Sequence, residues 1–140
     1  MILSHRTDFA FRTLMFLGKA AQETPPAKVT TAQIAAAFDI PANHLVKIVN
    51  ELAQRGFVRT IRGPGGGVTL APNAAQLRLG DLIEQLQGPM HLHNCVESDG
   101  SCAIESICKL RSIFRQADIV QRDFLNQYTL ADIVPAQTAV

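Results

Sequence analysis

Ala10, Leu14, Leu17 and Ala21 recur at helical spacing, and Ser4 or Thr7 ahead of them can accept from the open amide groups of a first turn. They predict an amphipathic helix over residues 4–22. Pro25 and Pro26 end it, because proline lacks the amide donor and forces the residue before it extended. Thr30 with Gln33 makes a capping-box pattern, and Ile34, Ala35 and Phe38 supply the apolar face of a short second helix. Asp39-Ile40-Pro41 turns the chain, with Pro41 suited to the first turn of a third helix. Leu45, Ile48, Val49 and Leu52 then fall at i, i+3, i+4 and i+7, up to Gly56, while Asn43, His44, Lys47, Asn50, Glu51 and Gln54 form the polar face. Two short helices joined by a tight turn, over residues 30–56, make the pattern of a helix-turn-helix.

After Gly56 the period changes to two, in Phe57–Ile61 and again in Val68–Leu70, around Arg62-Gly63-Pro64-Gly65-Gly66-Gly67. This predicts a β-hairpin over residues 57–70 whose glycines permit a close backbone approach to another surface. Leu79, Leu82, Ile83 and Leu86 mark a fourth helix, stopped by Gly88-Pro89. Residues 90–108 have no clear period and contain all three cysteines. Beyond them Leu110, Ile113, Ala117, Val120 and Phe124 keep a 3-4 spacing, predicting a helix from Lys109 to Gln127 of about 28 Å. Such a narrow seam is readily shared between two subunits. The expected fold class is therefore mainly α with a small β-hairpin. A winged helix-turn-helix domain spans residues 1–88, a cysteine loop 89–108, and a dimerisation helix with a C-terminal turn 109–134.

The chain has 140 residues, 47% hydrophobic and 18% charged, enough for a core without disulfides and unlike disordered or collagen-like sequences. Arg6, Asp8 and Arg12 interrupt the first apolar stretch, unlike a signal peptide or membrane span, so a cytoplasmic protein with no membrane partner is expected. Net charge is only +1, but its distribution is uneven. Residues 41–70 hold Lys47, Arg55, Arg59 and Arg62 against Glu51, whereas residues 95–108 hold Glu97, Asp99 and Glu105 with no base. The first segment suits double-stranded DNA. There Asn43 can pair with an adenine edge, Lys47 can reach guanine or phosphate, and His44 can do either. Thr31 joins them as a DNA-contact candidate, with Arg59, Arg62, Gly63 and Gly66 of the wing. The glycine cluster lies between strands and has no Lys-Ser/Thr after it, which excludes a Walker loop. No nucleophile-base constellation points to an enzyme.

Cys95, Cys102 and Cys108 lie within 14 residues of loop. Three thiolates there can converge on a metal or cluster, act as a metal-free redox sensor, or simply be buried. His91 and His93 are local candidates for a fourth ligand and would favour zinc. Glu97, Asp99 and Glu105 are expected to raise the thiol pKa values, which argues against a free reactive thiolate.

Several stretches together carry a family resemblance: TDFAFRTLMFL at 7–17, NHLVKIVNELAQRGFV at 43–58, RGPGGGVTL at 62–70, LRLGDLIEQL at 77–86, the cysteine triplet, and YTLADIV at 128–134. They resemble the Rrf2 family of bacterial winged-helix regulators, and its nitric oxide-sensing repressors most. The resemblance implies a homodimer with swapped long helices, an iron–sulfur cluster near the dimer interface, and recognition of a palindromic DNA operator. It further implies that Cys95, Cys102 and Cys108 are joined as ligands by an acidic residue of the other subunit's first helix, here Asp8. A four-iron cluster is expected ahead of a two-iron one. Without the family, Asp8 reads as a first-turn carboxylate paired with Arg12. Another branch, the iron–sulfur-status regulators, places a histidine three residues after the third cysteine, where this chain has Arg111. The six-residue gap between Cys95 and Cys102 also departs from relatives with five or fewer.

Overall fold

The computed structural model describes residues 2–97, 100 and 102–136. Its helices are α1 (His5–Ala21), α2 (Thr31–Phe38), α3 (Ala42–Gln54), α4 (Leu79–Gln87), α5 (Lys109–Leu125) and α6 (Leu130–Ile133). One antiparallel hairpin pairs β1 (Val58–Ile61) with β2 (Gly67–Leu70). Mainly helical with one small hairpin among the described residues, this is the fold class that the sequence predicts.

The chain divides into two compact units. One holds residues 4–77 and the segment from Thr129 onward. Here Ser4 caps α1 by accepting from Thr7 N, and the Thr30–Gln33 capping box is present in both directions. Pro41 is the N-cap of α3 rather than a residue of its first turn. It therefore precedes the helix by one position, still without an amide that would need a partner. Asp39 supports the sharp exit from α2 with a left-handed φ of 52°, a conformation that Asp tolerates better than most residues. Leu14, Leu17, Ile34, Leu45, Leu52 and Leu130 are fully buried together. Each such side chain contributes about 1.5–3 kcal/mol when removed from water. The hairpin runs in register from Val58↔Leu70 to Ile61↔Gly67, and Val68 also bridges to Val29 through two backbone hydrogen bonds of 2.6 and 3.2 Å. That bridge ties the wing to the strand-like entry into α2.

The other unit holds residues 78–128. Leu82, Ile83 and Leu86 of α4 are buried, and α4 packs closely on α5. At their meeting point a Cβ on Gly80 would lie 2.6 Å from Asn126 Oδ1, so only glycine permits the approach. Asn126 Oδ1 accepts from Asp81 N at 3.0 Å, and Asn126 Nδ2 and Arg122 Nη2 both donate to Asp81 Oδ1 at 3.0 Å. These bonds, that of Asn126 first, hold the Asp81 carboxyl below its ordinary pKa. Helix α5 stops at Leu125, two residues before the sequence-predicted end, where the backbone bonds tighten to i→i−3. Asn126 keeps its helical bond to Arg122 O while its side chain accepts from the first turn of α4, and the N–H groups of Gln127 and Tyr128 donate to Phe124 O and Leu125 O, three residues back.

Candidate nucleic-acid interface and cysteine cavity

In α3 the two faces separate cleanly. Leu45, Ile48, Val49 and Leu52 are buried, whereas Asn43, His44, Val46, Lys47 and Asn50 are exposed. Glu51, the one acid of this segment, is held by Arg6 Nε at 2.8 Å and by Arg55 Nη2 at 3.1 Å. Lys47, Arg59 and Arg62 make no ion pair among the described residues, so their charge is open to an anionic partner. Arg59 and Arg62 are exposed on and beside β1, and Thr31 is half-buried in the first turn of α2. A cavity of about 360 Å³ runs between the helix-turn-helix and the wing, lined by Thr30, Thr31, Val46, Asn50, Thr60, Arg62, Gly63 and Gly66 among others.

The wing tip is built by its glycines. Gly63 and Gly65 have φ of 88° and 72°, a region that other residues rarely adopt, and Gly66 N donates to Gly63 O at 2.9 Å. A Cβ on Gly66 would collide with the Ile61 carbonyl and sit 2.8 Å from Gly63 O. No side chain fits at that position.

In the other unit Cys95, Cys102 and Cys108 line one cavity of about 420 Å³ together with Ile104, Leu110, Phe114, His93, Glu105 and Arg111. Cys95 lies in a short 3-10 turn, Asn94–Val96, and Cys108 is the N-cap of α5, its sulfur accepting from Arg111 N at 3.4 Å. Among the described residues no three His, Cys, Asp or Glu side chains already stand at metal-binding distance. All three thiols nevertheless open on one largely apolar chamber. That donor set suits an iron–sulfur cluster or a soft cation, with a further ligand still to come.

The two histidines part company. His93 lines the cavity, its Nδ1 accepting from Cys95 N at 3.1 Å. His91 instead lies between Asp118 Oδ2, 2.9 Å from Nδ1, and Glu97 Oε1, 2.8 Å from Nε2. These partners, Asp118 first, raise the His91 pKa above its ordinary value. Asp118 is the buried acid of α5, and its other oxygen accepts from Leu92 N at 2.9 Å. Glu105 is paired with Arg111, and Glu97 lies against His91; Asp99 lies outside the described residues. Arg111 and Arg115 both donate to Val96 O, at 3.4 and 3.3 Å, which ties the Cys95 turn to α5. Sequence reading misses these tethers because their partners are 15 to 27 positions apart and the loop has no period. Asp8 sits in the first turn of α1, 2.9 Å from Arg12 Nε, with both side chains about half exposed. An exposed pair of this kind stabilises by at most about 1 kcal/mol, so the carboxylate is readily released.

Residues 3–136 match the Rrf2 family, described as iron-dependent transcriptional regulators. The chain belongs to this family. It is 36% identical over 135 residues to the HTH-type transcriptional regulator NsrR of Geobacillus kaustophilus, covering 96% of this chain and 90% of that protein. To NsrR of Bacillus subtilis it is 33% identical over the same shares. Among solved structures, the global cysteine regulator CymR of B. subtilis superposes with a TM-score of 0.75 at 21% identity, covering 96% of each chain. IscR of T. potens superposes with a TM-score of 0.72 at 21% identity, covering 100% of this chain and 93% of that one. At these identities the structures speak for the fold alone. As an Rrf2 protein the chain is a DNA-binding transcriptional regulator, not an enzyme. No helix among the described residues is long and apolar enough to cross a membrane.

Proposed function

We propose that this Rrf2 protein is a repressor that binds a palindromic operator as a homodimer, carries an iron–sulfur cluster, and leaves DNA when nitric oxide reaches that cluster. The observation that carries the reading is the convergence of Cys95, Cys102 and Cys108 on one cavity at the start of α5. These three residues would hold the cluster, with Asp8 of the partner subunit as the fourth ligand. The four-iron form is favoured, because Arg111 stands where the two-iron branch has its histidine. When bound, the cluster supplies iron that nitric oxide attacks directly.

The protein's own residues transmit the signal. Cys108 caps α5 and Cys95 is joined to α5 through Val96 O, so ligation fixes both ends of the loop against that helix. The apolar seam of α5 meets the seam of a second copy, and the pair sets the separation of the two α3 helices. Successive major grooves require about 34–36 Å between them, so a small shift weakens binding. On DNA, Asn43, His44 and Lys47 enter the major groove, with Thr31, Arg59, Arg62 and the backbone at Gly63 and Gly66 on the flanking backbone or minor groove. Similarity to NsrR over nearly the whole chain supports the nitric oxide assignment. Fluorescence anisotropy of anaerobically purified protein on its selected operator tests it. Affinity is expected to fall at least ten-fold on adding nitric oxide, and unchanged affinity would contradict the proposal.

A further inference from the structure

One large apolar side chain stands among the polar groups on the exposed surface of α3, with the smaller Ala42 at i−4. Val46 is 47% exposed, at the edge of the buried stripe of Leu45, Ile48, Val49 and Leu52, which are at most 4% exposed. About half of its surface stays open, the rest lying beside Val49 and Ile61 in the cavity under the wing, and a β-branched residue at an exposed helix position is a poorer helix former than Ala, Lys or Gln. Its neighbours one turn away, Asn43 at i−3 and Asn50 at i+4, are exposed amides, and Lys47 is beside it. Val46 and Asn50 also line the cavity between α3 and the wing, opposite Thr60 and Arg62. An isopropyl group in a groove-facing row of amides has one good counterpart in duplex DNA, the C5-methyl of thymine. Asn pairs with the N6/N7 edge of adenine, so the two flanking amides select the same kind of base pair from its other base.

We infer that Val46 is a specificity-determining residue of the recognition helix, reading a thymine methyl within an A·T segment of each operator half-site. This rests on the DNA-binding reading above and deepens it. The test starts with the purified full-length protein and a random-sequence duplex pool, from which the bound duplexes are enriched. Each thymine of the enriched half-site is then replaced by uracil, which removes only the methyl group.

Wild type is expected to lose roughly four-fold in affinity at one thymine, the value of one buried methyl. Val46→Ala should bind the thymine duplex correspondingly weaker, become indifferent to the uracil exchange, and melt within a degree or two of wild type. A purely structural valine would move the melting temperature and leave the uracil response unchanged. A flat uracil scan in wild type, or the same uracil loss in Val46→Ala, would overturn the inference while DNA binding stands. A pool from which no sequence is enriched would instead remove the reading on which it rests.

Discussion

Helices α3 and α5 carry the same kind of apolar stripe and treat it in opposite ways. In α3 the stripe of Leu45, Ile48, Val49 and Leu52 is 0–4% exposed, and the polar face looks outward. In α5 Leu110, Ile113, Val120 and Phe124 are 54–60% exposed, and the one buried residue is an acid, Asp118. A stripe covered within its own chain builds the fold. One left open along 17 residues, about 25 Å, keeps apolar side chains in water, and the 3-4 spacing of α5 is what a second copy of itself would need. The difference separates what folds the DNA-binding unit from what the proposal assigns to assembly and sensing.

Substitution at the two stripes should therefore have opposite signatures. Leu45→Ala, at 0% exposure, is expected to cost about 2–5 kcal/mol in chemical denaturation, a large share of an ordinary stability of about 5–15 kcal/mol. Ile113→Asp with Val120→Asp should leave far-ultraviolet circular dichroism intact but shift sedimentation from dimer to monomer. Weakened self-association by two orders of magnitude or more is expected, because two charges per subunit would be buried unpaired. A dimer unaffected by this change would place the interface elsewhere.

Gly66→Ala probes the wing without touching either stripe. The collision with the Ile61 and Gly63 carbonyls must reshape the turn, so operator affinity is expected to fall about ten-fold with little change in dimerisation. Normal affinity would mean that the wing does not meet DNA.

Legibility from sequence divides along the same line. The period of α3, the Thr30–Gln33 capping box and the glycine-built wing depend on residues a few positions apart, and each forms where the pattern places it. The pattern overruns the end of α5 by two residues because apolar spacing carries no sign of the tightening to i→i−3 bonds at Gln127 and Tyr128. His91 reads as a zinc candidate because a histidine in an aperiodic loop carries no sign of its partner. Asp118, which binds it, looks like any solvent-facing helix acid. The cysteine cluster is visible as a triplet, but its cavity depends on Leu110 and Phe114 of α5, which period alone assigns to the seam side or leaves unassigned.

The smallest effect concerns the His91 latch, which joins the loop to α5. Its pKa is raised in the folded state, so its stabilisation is complete below about 6.5, the unfolded value, and is lost as pH rises through the folded pKa. His91→Gln should lower the melting temperature by a few degrees at pH 6, with the gap from wild type narrowing toward pH 9. A gap that widens with pH would mean that the ring is held neutral.

Whether Cys95, Cys102 and Cys108 hold a cluster is decided by iron, acid-labile sulfide and zinc per subunit, measured on protein purified without oxygen, with Cys102→Ala and Asp8→Ala alongside. Iron and sulfide in matching amounts are expected in wild type, lost in Cys102→Ala and reduced in Asp8→Ala. Zinc alone would make Cys95, Cys102 and Cys108 zinc ligands, and no metal in any of the three would leave them as thiols; either result rules out the cluster.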